Sequence, residues 1–141
     1  MNTTPSRPLV VWTAQAIMLL LVVTFGGTMT DIALFYNFTL FHLLYTVLLV
    51  ALPTAAFVGL VRRTVWGRDL ALLSILSIWA YFIRGYLFNM SGKSMADIFA
   101  MSPFGILVFW SIIAGIVLLP VLFIKLRWGK AASDFFASEA A

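Results

Sequence analysis

The sequence predicts an all-α, integral membrane four-helix bundle with both termini on the cytoplasmic side, and three observations carry that reading. The first is composition: of 141 residues, 63% are hydrophobic and 10% charged, against about 25% charged in soluble domains. With a mean hydropathy of +1.07, a water-soluble fold of this size would have to leave most of its apolar surface exposed. The second is spacing: the apolar residues form four blocks, each close to the ~20 residues that cross a ~30 Å hydrocarbon core at 1.5 Å per residue. The third is that the basic residues sit between these blocks and gather on one side.

The first span is predicted over 9–27. It starts after Arg7-Pro8, where a proline suits a helix start. Its apolar run is long for a signal peptide, and Gly26-Gly27-Thr28 is a poor small-x-small cleavage site, so it reads as a span. The second span is predicted over 40–61 and ends at Arg62-Arg63. Pro53 lies inside it, frees the carbonyl of Leu49 four residues earlier, and should kink it. The third span is predicted over 69–88, with Asp69 at its start complementing the helix dipole and pairing with Arg68 or Arg62. The fourth is predicted over 103–124, opening on Ser102-Pro103. In the connection before it, Ser94-x-x-Asp97 resembles a helix cap with Met95, Ile98 and Phe99 on one face. That predicts a short interfacial helix over 94–101, with a plain loop as the alternative. The remainder, 125–141, reads as a short cytoplasmic tail, and 1–141 as a single transmembrane domain.

Charge sets the orientation. Arg7, Arg62, Arg63, Arg68, Lys125, Arg127 and Lys130 fall on one side, and Arg84 and Lys93 on the other. The positive-inside rule makes the first side cytoplasmic. Trp12, Trp66 and Trp128 mark the same boundary as amphipathic anchors. The formal charge of +4 follows this arrangement and points to no nucleic acid.

Several chemistries are excluded by count. There is no cysteine and a single histidine, His42. Thiol–disulfide exchange, bis-histidine haem and Cys/His zinc sites therefore cannot be built within this chain, and no cofactor or metal is expected. The five acids, Asp31, Asp69, Asp97, Asp134 and Glu139, lie outside the predicted spans or at their ends. Proton-coupled transporters place a carboxylate within a span. The small multidrug exporters of similar length use a first-helix glutamate; the polar residue here is Gln15, which does not titrate.

The residues that remain for function form two groups. Ser74, Ser77, Tyr81 and Arg84 fall within about 80° of one face of the third helix. Such a stripe should face the bundle interior or a wet cavity. Arg84 either snorkels to the interface or meets a partner among Asp31, Asp97, His42 and Tyr45, of which the last two share a face of the second helix. The second group is for packing. Ala51, Ala55 and Gly59 form a small-xxx-small ridge, and Ser111-x-x-x-Gly115 a shorter one.

Arg7-Pro8-Leu9-Val10-Val11-Trp12 before a helix, and the turn Arg62-Arg63-Thr64-Val65-Trp66-Gly67-Arg68, resemble small bacterial four-helix inner-membrane proteins. The resemblance implies a multi-pass protein of the bacterial inner membrane and no defined activity, and it transfers no catalytic residue. The expected function is binding without catalysis, as an accessory subunit, assembly factor or homo-oligomer. Its partners would be the lipid bilayer and either another membrane protein or itself. Two alternatives stand beside it: a transporter or channel component with a polar path along the third helix, and a lipid-headgroup-binding protein or envelope enzyme using Arg84.

Overall fold

A computed structural model describes residues 7–37, 39–89 and 103–137, of which 85–89, 103–105, 107 and 108 are described as backbone only. The predicted interfacial helix over 94–101, with Lys93 and Asp97, lies outside them. The described residues form helices and no strand. Helix α1 spans Leu9–Phe35, α2 Leu40–Val61, α3 Val65–Asn89, α4 Pro103–Trp128 and α5 Lys130–Ala137. Four of them are long and apolar enough to cross a membrane.

Three boundaries differ from those read from the sequence. Helix α1 continues past Gly26-Gly27 to Phe35. The Thr28 and Thr30 hydroxyls donate to the Thr24 and Gly26 carbonyls at 3.0 and 2.8 Å, binding polar side chains back onto the helix. Helix α3 starts four residues early, because Thr64 caps it: the Gly67 amide donates to Thr64 Oγ1 at 3.2 Å. Asp69 therefore lies in the second turn, where its carboxylate stands 3.5 Å from Arg68 Nε. That contact is an ion pair and not a hydrogen bond, since Arg68 Nε is buried with no acceptor among the described residues. Helix α4 runs on through Lys125 and Arg127, cations that complement the negative end of its dipole.

Pro53 acts differently from a simple kink. The turn before it, Val47–Ala51, is a π-helix. The Leu52 amide donates to the Val47 carbonyl five residues back, so the ladder widens by one residue where the proline cannot donate.

Helices adjacent in sequence pack together: α1 on α2, α2 on α3, and α3 on α4. The α2–α3 hairpin is the tightest joint. The Arg63 and Thr64 amides donate to the Leu60 and Gly59 carbonyls at 3.3 and 2.9 Å. This is a Schellman closure with Arg63 in the left-handed region at φ 58°. Gly59 and Gly67 face each other across the joint, where a Cβ on Gly59 would sit 2.3 Å from the Gly67 Cα. Only glycine allows that approach.

Burial is lopsided along the bundle. Near the basic end, with Arg7, Arg62, Arg63 and Lys125, the core contains Val11, Met18, Leu60, Ile75, Leu122 and Leu126. Toward the Arg84 end, α1 buries nothing past Leu21 and α2 nothing before Leu49. Among the described residues the basic half is the more densely packed, and at the Arg84 end of α4 Phe109 is buried.

The segment expected as a tail folds back. Helix α5 is amphipathic and buries Ala132, Phe135 and Phe136 against the basic end. The Arg63 and Arg68 guanidiniums lie 5.0 and 5.8 Å from the ring centres of Phe135 and Phe136, within cation–π range.

Candidate functional site

The Arg84 end contains three of the four side chains singled out on the third helix. Ser77, Tyr81 and Arg84 of α3 line a groove of about 400 Å³ shared with Tyr45, Leu48 and Leu49 of α2. Arg84 Nη1 donates to the Tyr45 hydroxyl oxygen, and its guanidinium lies 6.0 Å from the Tyr45 ring centre. Tyr81 meets Tyr45 edge to face at 6.2 Å and Phe25 of α1 at 5.3 Å. Each contact has favourable quadrupole geometry. The aromatic group thus ties α1, α2 and α3 together beneath the guanidinium. Leu48, Leu49, Leu76 and Ala80 make the rest of the groove apolar. A cation and a phenol beside a largely apolar lining make an amphipathic site.

The position of the π-turn bears on this geometry. It begins two residues after Tyr45 and includes both Leu48 and Leu49. A π-turn adds one residue to the local repeat, so it rotates everything before it by about 100° relative to everything after. That rotation sets the face of α2 that carries Tyr45 toward Arg84.

The other members of the predicted cluster take separate places. Ser74 is buried, its hydroxyl donating to the Leu70 carbonyl at 2.8 Å. Ser77 donates to Leu73 at 3.0 Å. Both bonds stay within α3. His42 caps α2: its Nδ1 accepts the Thr39 amide at 3.1 Å and lies 2.8 Å from the Thr39 hydroxyl. The ring therefore fills the N3 position of a capping box. Asp31 lies exposed on the last turns of α1 and forms no salt bridge among the described residues.

The packing residues divide as well. Gly59 is consumed inside the α2–α3 joint, while Ala55 is half-buried and Ala51 exposed. Gly115 receives the Phe82 ring of α3, and Ser111 is exposed. Gln15 is buried and accepts from Arg7 Nη1 at 3.0 Å through Oε1, and its Nε2 has no hydrogen-bond partner among the described residues. Arg7 also donates to the Val61 carbonyl at 3.4 Å, capping the end of α2.

One polar contact has no counterpart in the sequence reading. Pro120 has no N–H, which leaves the Ile116 carbonyl without its helical donor. The Trp79 indole of α3 supplies one at 3.0 Å. The signal was present, since a proline within an apolar run always marks a free carbonyl four residues back. Its donor is not readable from sequence, because the pairing depends on how α3 and α4 meet.

Among the described residues no three His, Asp or Glu side chains gather as metal ligands. Comparison with protein-family models, curated proteins and solved structures found no match.

Proposed function

We propose that the chain is a multi-pass protein of a bacterial inner membrane, both termini cytoplasmic, that acts by binding and holds an anionic lipid headgroup between α2 and α3. In this reading the basic end faces the cytoplasm, and α5 lies beneath the bundle there. Arg84 then sits about 7.5 Å from the outer end of α3, within snorkelling reach of the headgroups. The single observation that carries the reading is the Arg84–Tyr45 hydrogen bond in the α2–α3 groove. It places a guanidinium, a group suited to phosphate oxygens, beside a largely apolar lining.

The alternatives draw less support. A polar path along α3 needs accessible serines, and Ser74 is buried, while Ser77 lines the groove with its hydroxyl proton committed to the Leu73 carbonyl. Oligomerisation through Ala51, Ala55 and Gly59 loses its deepest position to the α2–α3 joint.

The test is a titration of the purified full-length chain with short-chain phosphatidylglycerol, using phosphatidylcholine as reference. A charge-assisted hydrogen bond is worth about 1.5–3 kcal/mol, so Arg84→Ala should weaken phosphatidylglycerol binding roughly 10- to 100-fold. Arg84→Lys, which keeps charge but loses the fork, should fall between. Equal binding by wild type and Arg84→Ala, with both equally folded, would rule the headgroup site out.

A further inference from the structure

A second groove lies on the opposite side of α3 and runs from the basic end up to Phe82, two residues from Arg84. Helices α1 and α4 barely touch, and the gap between them is about 580 Å³. Its walls include Thr13, Ile17 and Leu20 of α1 and Ala114 and Leu118 of α4, and its floor is Ile78 and Phe82 of α3. Among the described residues lining it, the only charged one is Lys125, at the same end as Leu9 and Val10 of α1. Thr13 offers no free donor inward, since its hydroxyl donates to the Leu9 carbonyl at 2.9 Å.

Two features specify an occupant. The described lining is mostly apolar with its one cation, Lys125, at one end, so it suits an amphiphile with one negatively charged end. From Lys125 to Ser111 it runs about 21 Å along α4, past the ~15 Å depth of one leaflet, so a chain rooted at Lys125 stays in the groove throughout its own leaflet. We infer that this groove holds one acyl chain of an anionic phospholipid from the leaflet at the basic end, with its phosphate on Lys125. The site is separate from the Arg84 groove, on the other side of α3 and with its cation at the opposite end, and it rests on the membrane placement proposed above.

The experiment is native mass spectrometry of the full-length chain after incubation with equal amounts of phosphatidylglycerol and phosphatidylcholine carrying the same acyl chains. A lysine at an anionic surface should favour phosphatidylglycerol about fivefold. Lys125→Gln should lower that preference while leaving the total lipid retained unchanged. Ala114→Phe and Thr13→Phe, which fill the groove from opposite walls at exposed positions, should each remove one retained lipid. Arg84→Ala should leave the Lys125-dependent preference intact, which separates this site from the outer one. An unchanged preference in Lys125→Gln, or an unchanged lipid count in both filling variants, overturns the proposal. So does a dimer abolished by the filling variants, which would make the occupant a second copy. Release of the chain from vesicles by alkali would instead remove the membrane placement itself, and with it this site.

Discussion

Trp79 is the clearest case of one side chain repairing a defect imposed by another. Pro120 breaks the backbone ladder of α4, and the Trp79 indole supplies the missing donor to Ile116 from the neighbouring helix. Interhelical hydrogen bonds in membranes contribute about 0.6–2 kcal/mol. Trp79→Phe should destabilise the bundle by about that amount, measured by unfolding in mixed micelles. In a Pro120→Ala background the backbone N–H is restored, and the same change should cost distinctly less. A purely additive cycle would show that the indole contributes only its packing. Arg63 is a second residue with two roles. It sits in the left-handed region that ends α2 and places its guanidinium against Phe135, so the turn that closes one helix also positions another.

Among the elements, the difference between what was legible and what was not has physical causes. The four long helices follow from hydropathy and length, because each block alone satisfies its backbone and reaches across a bilayer. Helix α5 was not legible. Lys130–Ala137 is only eight residues long, and such a helix is not stable in isolation. It exists because Phe135 and Phe136 find a surface built by Arg63 and Arg68, residues far away in sequence. Replacing both phenylalanines with alanine should undock α5. A trypsin-like protease should then cut the full-length chain at Lys130 about tenfold faster or more, and unchanged cleavage would show that the docking is not what protects it. The π-turn was half legible: Pro53 announced a disturbance, and the structure shows that it takes the form of an added residue ahead of the proline.

The site shows the same division. Arg84, Tyr81 and Ser77 were linked by helical periodicity within one element. Tyr45 stood among several candidate partners, because periodicity says which residues share a face and not which faces meet. The π-turn then altered the register between the two halves of α2. His42 and Asp31 seemed equally eligible by position, but the first was needed as a cap and the second was carried outward on an extended α1.

For the molecule as a whole, the charge distribution and the lopsided core describe one object. A tight basic end, closed by α5, supports the end where Arg84 and Tyr45 line a largely apolar groove. Its proposed orientation has a direct check, because the chain has no cysteine. In intact cells a membrane-impermeant maleimide should label Asn37→Cys and spare Arg62→Cys until the membrane is opened. The reverse pattern would invert the topology and place Arg84 in the cytoplasmic leaflet.

The central claim is that the Tyr45–Arg84 groove holds an anionic headgroup. The most direct measurement is photocrosslinking in vesicles, with a phosphatidylglycerol carrying a diazirine close to its headgroup and the adducts mapped by mass spectrometry. The account predicts adducts concentrated around Tyr45, Ala80 and Tyr81, displaced by unlabelled phosphatidylglycerol and lost in Arg84→Ala. Adducts spread evenly over the lipid-facing residues, indifferent to Arg84→Ala, would contradict it.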